Sequence, residues 1–77
     1  MPRLAPLHWK RLRCVFEQDG FVFKKRTAGS HWAGEKTGVT RPLIIPEYAE
    51  VGLDVIRANM RTASMSRERF LALLARC

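Results

Sequence analysis

The 77-residue chain is long enough for one small domain, and its 47% apolar content excludes wholesale disorder. A domain of this size buries only about 60% of its unfolded surface, so its core is thin. The net charge of +7 is uneven: residues 1–26 hold seven cations and two acids, whereas residues 27–77 hold seven and five. Such a balance favours a nucleic-acid or acidic protein partner, with a merely solvated basic surface as the alternative.

The beginning of the chain and its cysteines indicate a compartment. The first six residues lack the apolar run of a signal peptide, and no stretch approaches the roughly 20 apolar residues of a membrane span. Cys14 and Cys77 are too few for a disulfide framework, and no Cys/His spacing matches a metal site. We therefore expect a cytoplasmic protein with reduced thiols, no metal and no cofactor.

The first predicted helix covers residues 7–19. Trp9, Leu12, Val15 and Phe16 recur at i, i+3, i+6 and i+7, which places them on one face of a helix. Gly20 follows as the left-handed residue that ends many helices.

Three strands are predicted next, at residues 21–26, 30–36 and 42–46. The first alternates Phe21 and Phe23 on one face with Val22, Lys24 and Arg26 on the other. A turn at residues 27–29 leads to the second strand, which the glycine in Ala33-Gly34 weakens. Prolines on either side delimit the third.

Two further helices close the chain. The first begins at Val51 or Gly52, and Ser66 caps the second. The apolar positions of the two helices are Leu53, Ile56 and Met60, then Phe70, Leu71 and Leu74. The order αβββαα predicts a single α+β domain over residues 1–77, with a three-stranded antiparallel sheet and helices on one face. The other face stays open for binding.

His31 is the strongest catalytic candidate because an imidazole can take and return a proton near neutral pH. It directly follows Gly29 and Ser30, and two cationic runs, Lys10-Arg11-x-Arg13 and Lys24-Lys25-Arg26, precede it in the sequence. These cations make a polyanion the natural substrate. RNA fits, since its own 2′-hydroxyl can attack the adjacent phosphate. His31 would act as general base or general acid, and the residues predicted to bind or stabilise the phosphate are Ser30, Lys24, Lys25, Arg26, Arg57 and Arg61. An ordinary exposed turn histidine is the alternative.

The remaining aromatic residues leave alternatives open. Trp32 can either stack on a nucleobase or pack across strands, whereas Trp9 lies on the core stripe of the first helix. His8 is interpreted as a boundary residue of that helix rather than a second catalytic base. Tyr48 falls in a loop that is predicted to be solvated.

Short motifs along nearly the whole chain carry a resemblance. The chain is similar to the HicA toxins, also called YcfA-like mRNA interferases, of prokaryotic HicAB toxin–antitoxin pairs. The order and spacing of these motifs, rather than any one of them, carry the likeness: Leu4-x-Pro6, Gly20-Phe21, Gly29-Ser30-His31, Gly38-Val39-x-Arg41-Pro42-x-Ile44-Ile45-Pro46, Glu50-Val51-Gly52, Ile56-Arg57-x-Asn59-Met60-Arg61-Thr62-Ala63 and Ser66-Arg67-Glu68-x-Phe70-Leu71-x-Leu73-Leu74.

The resemblance implies a fold like the double-stranded-RNA-binding domain (dsRBD-like), mRNA cleavage without a metal, and a catalytic role for His31. It also implies a HicB-like antitoxin as protein partner, covering the active site. One departure stands out: many relatives continue after the catalytic histidine with another histidine or an apolar residue, whereas this chain has Trp32-Ala33-Gly34-Glu35. That departure predicts a short or bent second strand.

Three functions therefore compete at this level. The first is an endoribonuclease toxin that uses His31. The second is an RNA-binding module with the same cations and no chemistry, and the third is a protein-interaction domain for an acidic partner. The first predicts RNA cleavage, and the second predicts RNA binding without new RNA ends. Absence of RNA affinity at low salt would favour the third.

Overall fold

A computed structural model describes residues 3–26 and 29–77, so residues 27 and 28 of the predicted turn lie outside the described residues. The predicted order of helices and strands is confirmed. The elements are α1 (Trp9–Gln18), β1 (Val22–Lys25), β2 (His31–Glu35), β3 (Leu43–Pro46), α2 (Leu53–Thr62) and α3 (Arg67–Leu74).

The three strands form one antiparallel sheet in the order β1-β2-β3. Trp32 pairs with Lys25 on one side and with Ile45 on the other, whereas His31 pairs with Pro46. Because paired residues project to the same side of a sheet and neighbours alternate, Trp32 and His31 belong to opposite faces. This register decides which cations accompany the histidine.

Gly34 lies in the middle of β2 and is buried. It pairs with Phe23 of β1, and a Cβ on this glycine would lie 2.6 Å from the Cζ atom of that ring. The glycine that weakens the strand prediction is thus the residue that makes room for an aromatic ring. With five residues, β2 is short, and its register is unbroken against both neighbours.

The core lies on the Trp32 side of the sheet. Leu12, Val15 and Phe16 of α1 are fully buried, as the periodicity predicts, and Leu43 and Ile45 of β3 are buried with them. The helix α3 packs against α1. Its buried positions are Phe70 and Leu73, with Leu71 and Leu74 only partly covered, so the apolar face predicted for this helix is shifted.

The helix-end roles predicted for Gly20 and Ser66 are confirmed, whereas α1 and α2 begin slightly later than predicted, at Trp9 and Leu53. Gly20 has a φ of +100° just after α1, a conformation that costs glycine little. The Ser66 hydroxyl accepts from the Arg69 N–H at 3.1 Å at the start of α3. His8 is the N-cap of α1, where its Nδ1 accepts from the Lys10 N–H at 3.2 Å. The interpretation of His8 as a boundary residue is therefore confirmed.

The prediction of reduced thiols is wrong for this structure, because Cys14 and Cys77 form a disulfide. Their Cα atoms are 6.1 Å apart although 63 positions separate them in sequence. The packing of α3 on α1 brings them together, and Gln18 strengthens that contact by donating to the Leu73 carbonyl at 2.9 Å. A pairing that depends on helix packing leaves no local signal in the sequence.

The described helices are all short. Within residues 3–26 and 29–77, no helix has the length and apolar character needed to cross a bilayer.

Candidate nucleic-acid cleavage site

A groove runs between β3 and α2 on the side of the sheet that carries His31. Its volume is about 540 Å³, within the range of about 300–1,000 Å³ usual for ligand sites. The lining residues are His31, Arg41, Pro42, Ile44, Pro46, Tyr48, Asp54, Val55, Ala58, Asn59 and Thr62. Apolar residues therefore line it together with polar and charged ones, and polar groups among apolar side chains are what orient a ligand in a binding site.

The chain order gives the groove two distinct ends. After β3 the chain turns and α2 runs back along the strand, so the start of α2 lies near the end of β3. His31, Tyr48 and Asp54 therefore belong to one end, and Arg41 and Thr62 belong to the other. The three steps of β3 from Leu43 to Pro46 correspond to about 10 Å of extended chain. Arg41 precedes the start of β3 and His31 pairs with Pro46 at its end, so the two residues line the groove from opposite ends of the strand.

Asn59 fixes the wall of this groove. Its side chain is 5% exposed, accepts from the Ile44 N–H at 3.2 Å and donates to the Ile44 carbonyl at 3.0 Å. The Asn59 amide thereby pairs with the N–H and the C=O of Ile44 at the outer edge of β3, where a further strand would otherwise bond. This contact attaches α2 to the sheet at the middle of the groove.

Backbone contacts hold the His31 end in place. The Glu47 N–H donates to the Ser30 carbonyl at 2.8 Å, and the Tyr48 N–H donates to the Pro46 carbonyl at 2.8 Å. The Tyr48 carbonyl accepts from the Trp9 N–H of α1 at 3.1 Å. Tyr48 as a whole residue is 54% exposed, so an anchored backbone carries an exposed aromatic residue.

The basic strand divides its cations between the two faces. Lys24 pairs with Ala33 and so shares the His31 face, and the Arg26 N–H donates to the His31 carbonyl at 3.0 Å. Both of these side chains are exposed. Lys25 instead pairs with Trp32 on the opposite face, where its Nζ lies 3.4 Å from the Glu47 carboxylate. The register therefore groups Lys24 and Arg26, rather than all three predicted cations, with the imidazole.

Trp32 packs on the core side of the sheet. Its ring stacks on Trp9 with centroids 5.7 Å apart and planes 18° from parallel, and the Arg13 guanidinium lies 4.9 Å from the Trp9 centroid and 5.0 Å from that of Trp32. Its indole N–H donates to Glu47 at 2.8 Å. Of the two roles open for Trp32, cross-strand packing is the one this geometry supports.

Glu47 lies at the junction of these contacts, although the sequence suggested only a solvated loop. The hydrogen bond from the Trp32 indole lowers the pKa of Glu47 from its usual value, with smaller contributions from Lys25 and from the charge of His31, and partial desolvation opposes them. Glu47 therefore extends the electrostatic surroundings of His31.

The two arginines predicted on α2 are not among the residues that line the groove. Arg57 and Arg61 are both exposed, and neither lines it. Arg41, Tyr48 and Asp54 do, and sequence reasoning assigned none of them to the site. Chain order offered one signal for Tyr48. In an antiparallel pair the end of β3 lies beside the start of β2, which is where His31 is located. Tyr48, two residues past that end, is therefore brought close to His31.

No group of three or more His, Cys, Asp or Glu side chains that could hold a metal ion occurs in the described part of the chain. No protein-family model, curated protein or solved structure matches this chain.

Proposed function

We propose that this protein is a metal-independent endoribonuclease in which His31 is the general acid or base. One observation carries the proposal: an exposed imidazole stands at the end of a groove, on the same sheet face as Lys24 and Arg26. The net charge of +7 favours approach of a polyanion. The motif resemblance to HicA toxins is a second, independent support.

The chemistry uses the nucleophile that RNA itself supplies. The 2′-oxygen bonds to the adjacent phosphorus, the bond from phosphorus to the 5′-oxygen breaks, and a 2′,3′-cyclic phosphate and a 5′-hydroxyl result. His31 either takes the proton of the 2′-hydroxyl, with water protonating the departing 5′-oxygen, or it protonates that oxygen, with water taking the 2′-hydroxyl proton. The cations of the same face stabilise the charge that develops on the phosphate oxygens.

The biological setting follows from the resemblance and extends the proposal. The chain would be the toxin of a type II toxin–antitoxin pair, with mRNA as substrate and a HicB-like antitoxin as inhibitory partner. The basic face suits RNA and an acidic inhibitor alike. The proposed compartment is the cytoplasm, where thiols are mostly kept reduced, so activity should be measured with the Cys14–Cys77 disulfide both intact and reduced.

Replacement of the two histidines provides a matched test. His31→Ala is expected to lower the rate of RNA cleavage by about 10²- to 10⁴-fold, the usual contribution of a positioned proton-transfer group. The control is His8→Asn, which removes the other histidine but keeps a side chain able to cap α1. Cleavage is followed on a labelled RNA in the presence of a chelator, with circular dichroism to verify folding.

The outcomes separate the competing functions. Equal cleavage by wild type and His31→Ala would reject the catalytic role of this residue, and loss of cleavage with the chelator would reject metal independence. Salt-dependent RNA binding without new RNA ends would indicate a binding module. Absence of RNA affinity at low salt would indicate the third function, a protein-interaction domain for an acidic partner.

A further inference from the structure

The groove offers more than a phosphate site, because an aromatic residue, a carboxylate and apolar residues line it beside His31. Tyr48, Asp54, Pro46 and Val55 are all lining residues, and chain order assigns them to the end of β3 and the start of α2. A phosphate needs only cations and N–H donors. An aromatic side chain in a partly apolar groove is instead a surface on which a nucleobase stacks.

We propose that the His31 end of the groove binds one unpaired nucleobase of single-stranded RNA, stacked on Tyr48. The proposal rests on the endoribonuclease function and specifies its substrate class. With the base on Tyr48, the ribose and its 3′-phosphate lie toward His31, where the 2′-hydroxyl is the reacting group. Lys24 and Arg26 on the open sheet face are then available to the neighbouring phosphates.

The preference for single-stranded RNA follows from the surface that a base must expose in order to stack on a side chain. Within a duplex, both faces of a base are covered by its neighbours and its Watson–Crick edge is paired, so side chains reach bases mainly in unpaired segments. The groove volume of about 540 Å³ suits a nucleotide-sized ligand rather than a duplex. A base in this groove must therefore be unpaired, even though the predicted fold resembles a duplex-binding domain.

Tyr48 is well suited to the role because its backbone is already held. Its N–H and C=O are bonded to Pro46 and Trp9, so ordering of the turn adds little cost to binding, and only the ring remains to be placed. Asp54, as a carboxylate, presents acceptors to the N–H donors that every base carries on its Watson–Crick edge, so it adds a hydrogen bond without selecting among the bases. The groove thereby combines a stacking contact with a hydrogen-bonding one.

The test measures binding apart from cleavage. The ligand is a fluorescently labelled octamer of 2′-O-methyl RNA, in which the nucleophile is blocked, used single-stranded and annealed to its complement. Fluorescence anisotropy at low salt gives the affinity of wild type, Tyr48→Ala and Tyr48→Phe. We expect tighter binding of the single strand, a loss of about 5- to 100-fold for Tyr48→Ala, and near-normal affinity for Tyr48→Phe.

Equal or tighter binding of the duplex would overturn the proposal, as would unchanged affinity in Tyr48→Ala. Displacement of the octamer by an octaglutamate peptide, with the same dependence on Tyr48, would assign the groove to an acidic protein instead. The two proposals can fail separately. If His31→Ala cleaves normally while Tyr48→Ala loses affinity, the base site stands and the catalytic role fails; the reverse pattern rejects the base site alone.

Discussion

At the scale of single residues, the environment of His31 matters as much as the imidazole itself. Lys24 and Arg26 share its sheet face, and Glu47 lies close enough for the two charges to interact. Glu47 also accepts from the Trp32 indole at 2.8 Å. One carboxylate therefore connects the aromatic packing on one face with the imidazole on the other.

The pH dependence of stability should report on Glu47. Its pKa is lowered in the folded state, chiefly by the Trp32 hydrogen bond. Its contribution to stability is therefore present above the unfolded pKa of about 4.3 and is lost as the pH falls through the lower folded pKa. We expect the melting temperature of wild type to decline more steeply than that of Glu47→Gln in this acidic window.

Tryptophan fluorescence followed between pH 3 and 7 provides a second readout of the same group. A transition with its midpoint below that of a free glutamate, absent in Glu47→Gln, is the expected result. Identical titrations for the two proteins would show that the Trp32–Glu47 hydrogen bond does not form in solution.

At the scale of secondary-structure elements, the position of α2 determines the groove. The helix is held to β3 by the Asn59 amide, which bonds both backbone groups of Ile44. Leu53, Ile56 and Met60 follow the apolar periodicity of a helix, and Ile56 and Met60 are buried. The apolar periodicity thus explains why α2 packs on the rest of the domain. The two hydrogen bonds of Asn59 explain its position along β3.

Asn59→Ala tests this attachment. The substitution removes both hydrogen bonds to a half-buried strand, which should cost about 1–3 kcal/mol. For a domain of this size, that corresponds to a fall in melting temperature of about 5–20 °C. Arg57→Ala, at an exposed position of the same helix, is the matched control and should change stability by less than about 0.5 kcal/mol. Similar melting curves for both variants would show that the amide is not needed.

At the scale of the whole molecule, a covalent and an ionic connection join α1 and α3 in addition to the hydrogen bond from Gln18 to the Leu73 carbonyl. The Cys14–Cys77 disulfide is one. The other is Asp19, at the end of α1, which lies 3.2 Å from the Arg69 guanidinium of α3 and 3.3 Å from the Lys36 ammonium after β2. Because these ion pairs are partly exposed, their contribution is small, and the disulfide is expected to dominate.

Reduction of the disulfide should therefore destabilise the domain strongly. A closed loop spanning 63 positions is expected to contribute about 4 kcal/mol by limiting the unfolded chain. That is a large part of the roughly 5–15 kcal/mol that stabilises a typical domain. Thermal melting of wild type with and without reductant measures it.

Cys14→Ser is the control for reduction. It should melt near the reduced wild type and should not respond to reductant. Two free thiols found by mass spectrometry in the oxidised sample would contradict the pairing.

The sequence by itself determined the element order and most of the core, because those depend on local patterns. Apolar spacing marked Leu12, Val15 and Phe16, and Gly20 and Ser66 marked helix ends. The sequence also singled out His31 as the catalytic candidate, since proton transfer near neutral pH is a property of the imidazole itself, and that assignment stays a prediction.

Only the tertiary structure decided what surrounds the histidine. The strand register placed Lys25 and Trp32 on the opposite face, and the return of α2 along β3 added Tyr48, Asp54 and Arg41 to the groove. Helix packing likewise joined two cysteines that the sequence treated as separate thiols. Each of these contacts spans residues distant in the chain, and a local pattern carries no information about which distant residue it will meet.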